Sequence, residues 1–118
     1  MTAAVAGALA GACSSVGPDP AGSEVTLTVV AEELRFTPGR LTGPADEPFV
    51  IVLDNRDRGI PHNIAIYRDS DADQPILVGT VSIGEARTTE RVGALPAGAY
   101  FVRCDIHRTD MTGTLEIQ

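Results

Sequence analysis

The chain is predicted to be all-β, an antiparallel β-sandwich of about seven or eight short strands. Short apolar runs rich in β-branched residues are separated by turn residues, and the 118 residues include 12 Gly and 8 Pro. No stretch repeats apolar residues at helical spacing over about a dozen positions. The length allows one domain at most, and a hydrophobic content of 43% is ordinary for a globular protein.

Residues 1–12 are predicted to be a signal-peptide-like segment. The apolar run from Ala3 to Ala12 is too short to span a bilayer, which takes roughly 20 residues, but it suits an export signal. The segment from Leu9 to Cys13 is similar to the processing site of bacterial lipoproteins, in which the Cys is lipidated. Leu9 lies one position further from Cys13 than in the usual motif, and no Arg or Lys precedes the run. A plain secretory signal and an Ala-rich tail without a role remain the alternatives.

Residues 13–23 are predicted to be a flexible tether, because Gly, Pro and Ser cannot build a core. We therefore expect an exported protein in the periplasm or at the cell surface, anchored to the membrane through Cys13. The domain itself is expected to span residues 24–118.

The charge pattern limits the partners of the domain. The formal net charge is −7 and the chain has no Lys, so nucleic acid is not an expected partner. Redox proteins with a basic face would be steered toward an acidic body. We expect a monomer.

The strands are expected in the following order. Alternation of apolar residues with Thr predicts a strand over 25–29. Residues 36–40 form a turn, and the run Phe49–Leu53 is typical of a strand covered on both faces. Residues 54–59 are expected to be a polar loop. The further strands are expected at 63–67, 76–81, 86–92, 99–104 and 114–117.

The acidic segment Asp69–Asp73 is interpreted as a solvated loop. A calcium loop of the EF-hand type would need Gly and a carboxylate where Gln74 and Thr80 stand.

A thiol, an imidazole and a thioether occur together near the end of the chain, at Cys104, His107 and Met111. Period-2 geometry places Tyr100, Val102 and Cys104 on one face of a strand. Cys104 would end that strand pointing inward, and the loop behind it would return with His107 and Met111.

The remaining His of the chain, His62, lies at a similar strand end after Gly59-Ile60-Pro61. Both His, the one Cys and the one Met of residues 24–118 therefore fall into one possible cluster. Two imidazoles, one thiolate and a weak axial Met are the ligands of an electron-transfer copper site. Structural zinc uses four strong ligands and not Met. A dinuclear copper centre would need a second Cys nearby.

From about Glu24 to Gln118 the chain resembles the cupredoxins, the type 1 blue copper proteins, and in particular small bacterial domains such as pseudoazurin and amicyanin, and plastocyanin. The resemblance is most specific at residues 59–63, 97–107 and 111–114. It implies an eight-stranded Greek-key sandwich that holds one copper ion near one end. His62, Cys104 and His107 would be equatorial ligands and Met111 the axial ligand.

The resemblance also implies roles for residues around the site. Asn63 matches a residue that hydrogen-bonds across to the segment after the Cys, and it would pin the His62 loop to Cys104 and Asp105. Arg103 stands where plastocyanins carry a Tyr used as a remote electron port, so that second route is not expected.

Partner docking is expected around His107. Ile60, Pro61 and Ile106 would form an apolar collar, flanked by Arg56, Arg58 and Arg108.

The predicted function is one-electron transfer by a single copper ion outside the cytoplasm. The protein is not expected to be an enzyme, because no His remains for a second, catalytic copper. Three alternatives stay open: copper carriage without electron transfer, an electron-donor subunit of a copper enzyme, and a fold that has lost its metal.

Overall fold

The computed structural model describes residues 24–118, and every regular element in this range is a strand. The strands are β1 (Thr26–Glu32), β2 (Arg35–Thr37), β3 (Arg40–Gly43), β4 (Phe49–Asn55), β5 (Pro61–His62), β6 (Ala65–Tyr67), β7 (Pro75–Val78), β8 (Ser82–Ile83), β9 (Ala86–Val92), β10 (Gly98–Arg103) and β11 (Thr112–Ile117). In this part of the chain, no helix has the length and apolar character needed to cross a membrane. The predicted signal segment and tether lie outside the described residues.

The strands form two larger sheets and one small one. The first sheet has the order β2-β1-β4-β9 and the second β3-β11-β10-β6-β7, while β5 pairs with β8. One cluster of buried apolar residues takes side chains from both larger sheets, among them Val29 and Leu53 from the first and Val102 and Leu115 from the second. Two sheets that share one core are a β-sandwich, so the predicted fold class is confirmed.

The sheets are mixed rather than purely antiparallel. β1 runs parallel to β4, with Leu27 opposite Ile51, and β3 runs parallel to β11, with Leu41 opposite Leu115. These pairings join strands far apart in the chain, so no local pattern marks them. The eleven strand segments also exceed the expected number. The extra segments are short, such as β2 and β3, which are separated by Pro38, a residue without a backbone N–H for a ladder.

Strand β4 departs from its prediction. Phe49, Ile51 and Leu53 are buried, whereas Val50 and Val52 are only half-buried. The expectation that both faces are covered is therefore wrong. β-branched residues favour extended structure on either face, so an unbroken apolar run does not by itself report double burial.

The predicted polar loop over residues 54–59 also needs correction. β4 continues to Asn55, and both Asn55 and Asp57 are buried. The Asn55 amide donates to the carbonyl oxygens of Ile60 and Ser82, at 3.0 and 3.1 Å. The loop is thus held against the sandwich by buried polar contacts, at the end where β5 begins.

Candidate metal centre

Residues 104–111 form the loop between β10 and β11, closed by the pairing of Arg103 with Thr112. The backbone N–H of Cys104 donates to the carbonyl of Met111 (2.9 Å), and that of Met111 donates to the carbonyl of His107 (3.0 Å). The loop is therefore a tight turn in which the three residues lie against one another. The side chains of Cys104 and Met111 are fully buried and belong to the core cluster, while His107 is half-buried.

His62 reaches this loop from the short strand β5. Its side chain is fully buried, and its Nδ1 lies 4.0 Å from the Cys104 Sγ. The His62 and His107 rings meet edge to face, with centroids 5.0 Å apart. One potential ligand atom from each of His62, Cys104 and His107 lies within 4.8 Å of the other two. Among residues 24–118, no other three His, Cys or carboxylate side chains bring their ligand atoms together in this way.

This arrangement fits a single soft or borderline metal ion. Metal–sulfur and metal–nitrogen bonds of about 2.0–2.3 Å hold neighbouring ligand atoms about 3.5–4 Å apart. The Sγ–Nδ1 distance of 4.0 Å is in that range. It is long for a strong hydrogen bond, so the pair is better explained as two ligands facing one point.

Hydrogen bonds fix both imidazoles by their Nε2 atoms. His62 Nε2 lies 2.7 Å from the Asp57 carboxylate, and His107 Nε2 lies 3.2 Å from the carbonyl oxygen of Pro61. A carboxylate and a carbonyl only accept hydrogen bonds, so both Nε2 atoms must carry the proton. In the neutral rings, Nδ1 then keeps the lone pair that metal ligation needs.

Asp57 was not singled out in the sequence. Burial raises its pKa, but hydrogen bonds from His62 and from the backbone of Glu33 and Leu34 lower it more, so that the pKa falls below its ordinary value. No local signal separates Asp57 from Asp54, three positions earlier, which is half-buried and ion-paired with Arg56 at 3.0 Å.

Asn63 joins the two segments of the site. Its Oδ1 accepts the backbone N–H of Asp105 (2.8 Å), and its Nδ2 donates to the carbonyl of Gly79 (3.1 Å). Asn63 is nearly fully buried, so each bond replaces one that water would otherwise make.

Asp105 lies at the centre of a second polar group. Its Oδ1 accepts from the Tyr67 hydroxyl (2.7 Å) and from Arg103 Nε (2.9 Å). Burial raises the pKa of Asp105, but the hydrogen bonds from Tyr67 and Arg103 and the positive charge of Arg103 lower it below its ordinary value. Burial and the bond to Asp105 raise the pKa of Tyr67. Arg103, which stands where plastocyanins carry a Tyr, forms an ion pair with Asp105.

The expected docking residues surround this end of the molecule. Ile60 and Pro61 are half-buried and Ile106 is 42% exposed. The exposed Ile83, which pairs with Pro61, extends this apolar surface and was missed because it is distant in sequence.

The expected Arg residues differ in their partners. Arg56 is paired with Asp54, Arg58 lies 3.9 Å from Glu85 with its side chain 87% exposed, and Arg108 donates to the carbonyl of Asp105. All three side chains are exposed, but Arg56 has the shortest ion pair, 3.0 Å from Asp54, so Arg58 and Arg108 are the positive charges less neutralised by a nearby carboxylate.

Comparison with solved structures supports the cupredoxin assignment of the fold. Auracyanin A, a "blue" copper protein from the green thermophilic photosynthetic bacterium Chloroflexus aurantiacus, superposes with a TM-score of 0.73 at 20% identity, covering 81% of this chain and 100% of that one. Auracyanin from Roseiflexus castenholzii gives 0.73 at 17% identity, covering 82% and 99%. A reduced amicyanin variant gives 0.60 at 18% identity, covering 79% and 82%.

No protein-family model and no curated protein sequence matches the chain. At the identities above, the likeness establishes the fold. The sequence-based expectation of a cupredoxin fold is thus confirmed.

Asp105 should make the stability of the metal-free protein depend on pH. Because its pKa is lower in the folded protein than its ordinary value of 3.8, it stabilises the fold above about pH 4, and this contribution is lost as the pH falls through the folded pKa. Asp105→Asn should lower the free energy of unfolding by about 1–2 kcal/mol at pH 7. The difference from the original protein should shrink in acid, as measured by urea unfolding between pH 7 and pH 3.

Asp73→Asn is the matched control, since Asp73 is exposed in the loop over residues 69–73. It should leave the unfolding midpoint nearly unchanged. A constant difference between Asp105→Asn and the original protein across this pH range would contradict the assignment.

Proposed function

We propose that residues 24–118 bind one copper ion in a type 1 site and carry single electrons outside the cytoplasm. His62, Cys104 and His107 would be the equatorial ligands and Met111 the axial ligand. The observation that carries the proposal is the meeting of one buried cysteine and two imidazoles within 4.8 Å, beside a fully buried methionine.

The donor set supports copper over other metals. One thiolate, two imidazoles and a thioether are the ligands of blue copper sites, whereas structural zinc sites close with four strong ligands. The similar fold of auracyanin A, whose description names it a blue copper protein, supports the same choice.

The protein residues would hold the ligands in nearly one geometry through the redox cycle. Copper, when bound, would accept an electron as Cu(II) and donate it as Cu(I). His62 is held by Asp57, His107 by the carbonyl of Pro61, and the loop of residues 104–111 by its own backbone bonds. Because these contacts tie the ligand side chains to the backbone and to a buried carboxylate, little reorganisation would be needed when the charge on the site changes.

The ligand supply favours an electron carrier over an enzyme. The chain has two His, and both are used in the proposed site. A catalytic copper with imidazole ligands would therefore have to come from another chain, for which this protein would be the electron donor.

Copper binding should be visible directly. Adding Cu(II) to the purified metal-free protein should produce an intense visible thiolate-to-copper band and narrow copper hyperfine splitting in spin resonance. Cys104→Ser should remove the band, because no other thiol lies in residues 24–118. Cys13→Ser is the matched control and should keep it.

The same titration separates the alternatives. A protein that binds Cu(I) tightly but never becomes coloured would be a copper carrier and would contradict electron transfer. A protein that binds neither oxidation state would have lost its metal.

Docking of a redox protein would use the apolar surface of Ile60, Pro61, Ile83 and Ile106 beside His107. The positive charges of Arg58 and Arg108 beside this surface would influence which charged partners approach it, because exposed charges steer encounter in a salt-dependent way. The double variant Arg58→Glu, Arg108→Glu should change the slope of electron-transfer rate against ionic strength with a charged redox partner, measured by stopped flow.

Arg91→Glu is the control for this measurement. Arg91 is exposed and pairs with Val50 near the start of β4, whereas the site lies beyond the other end of that strand. Equal slopes for the double variant and the original protein would eliminate the proposed docking polarity.

Export and anchoring through Cys13 would place the domain at a membrane surface. The apolar run before Cys13 and the Gly- and Pro-containing segment after it support this part of the proposal. In an exporting bacterial host, Cys13→Ser should move the protein from the membrane fraction to the soluble exported fraction. A Cys13→Ser protein that stays in the membrane fraction, or an original protein found in the cytoplasm, would contradict it.

A further inference from the structure

Three hydrogen-bond donors converge on the carboxylate of Asp57. The backbone N–H of Glu33 donates to Oδ1 (2.7 Å), that of Leu34 donates to Oδ2 (3.2 Å), and His62 Nε2 lies 2.7 Å from Oδ2. Asp57 is 9% exposed, and His62 is fully buried. Water therefore has little access to replace these contacts.

The donors demand an ionised carboxylate at this position. A carboxylate can only accept, and it has lone pairs enough for three donors on two oxygens. An amide in its place would point its NH₂ group either at the Glu33 N–H or at the Leu34 N–H and His62. Either orientation leaves one donor facing another donor, which destabilises a buried group.

We propose that Asp57 is a positioning residue that holds His62 in the Nε2–H form and strengthens its Nδ1 as a metal ligand. The inference rests on the proposed copper site. With the proton on Nε2, the Nδ1 lone pair faces the Cys104 Sγ, 4.0 Å away. A carboxylate behind a ligating imidazole raises its basicity, and this favours the more highly charged metal ion, Cu(II), over Cu(I).

The same carboxylate connects the site to the hairpin of β1 and β2. Glu33 and Leu34 are the two residues of its turn, and both have positive φ values, 55° and 57°. Such turns usually contain Asn or Gly, which adopt positive φ at less cost. The two turn N–H groups are satisfied by Asp57, so this carboxylate supports the hairpin and orients the imidazole at once.

Asp57 could orient the His62 ring or only support the turn of Glu33 and Leu34, and the tautomer of His62 distinguishes these two roles. In the metal-free full-length protein at alkaline pH, where the imidazoles are neutral, ¹⁵N NMR of the ring should show His62 protonated at Nε2. Asp57→Asn should shift His62 toward protonation at Nδ1. Support of the hairpin alone would not move this signal.

Copper affinity is the second measurement. Asp57→Asn should raise the Cu(II) dissociation constant about 10–100-fold, the usual effect of removing a partner behind a metal ligand. The Cu(I) constant should rise less. A loss ten times larger for Cu(II) than for Cu(I) corresponds to a rise of about 59 mV in reduction potential. Asp57→Glu, which keeps the carboxylate, should restore the tautomer and most of the affinity.

Asp54→Asn is the matched control, because it removes the same charge nearby from a residue that contacts Arg56 and Arg87. It should leave the tautomer of His62 unchanged and shift the potential less than Asp57→Asn does.

Several results would overturn the inference. They are an original protein with His62 protonated at Nδ1, an Asp57→Asn protein with unchanged tautomer and Cu(II) affinity, or equal shifts in Asp54→Asn and Asp57→Asn. If Asp57→Asn does not fold, the ¹⁵N NMR spectrum of the original protein still tests the inference, because it shows which ring nitrogen of His62 carries the proton. An original protein that binds no copper would defeat the proposed function, while the tautomer measurement would still report on Asp57.

Discussion

The bond between the Asp105 N–H and Asn63 Oδ1 joins residues that are 42 positions apart. It ties Asn63, the residue after His62 of β5, to Asp105, the residue after Cys104, which directly follows β10. The pairing of β10 with β6, with Arg103 opposite Ala65, brings the same two stretches side by side. The geometry of the candidate centre therefore depends on strand register, and a slip of one residue would turn Cys104 away from the core.

Much of the fold and the site was accessible from the sequence because it follows from local patterns and from the scarcity of certain residues. Apolar runs marked β4 and β10, and the small number of His, Cys and Met residues pointed to one cluster. The parallel pairings and the roles of Asp57 and Tyr67 were not accessible. Nothing in the local sequence distinguishes Asp57 from other loop carboxylates. Its role becomes visible only in the fold, which packs the turn of Glu33 and Leu34 and the ring of His62 against it.

Buried polar groups gather at one end of the sandwich, where Asn55, Asp57, His62, Asn63 and Ser82 are all removed from solvent. Such groups destabilise a fold unless their hydrogen bonds are satisfied. Here each Asn and Asp of the set contacts backbone or a ring nitrogen, so these buried polar groups have hydrogen-bond partners. These hydrogen bonds fix the orientation of the His62 ring and of the Asn63 amide.

Complete burial of the Cys104 thiol has a chemical consequence for the metal-free protein. Oxidation and alkylation of cysteine require access to the sulfur, and two molecules cannot couple through a sulfur that neither exposes. Burial therefore protects the Cys104 sulfur from peroxide and from disulfide exchange for as long as the folded structure keeps it out of contact with solvent.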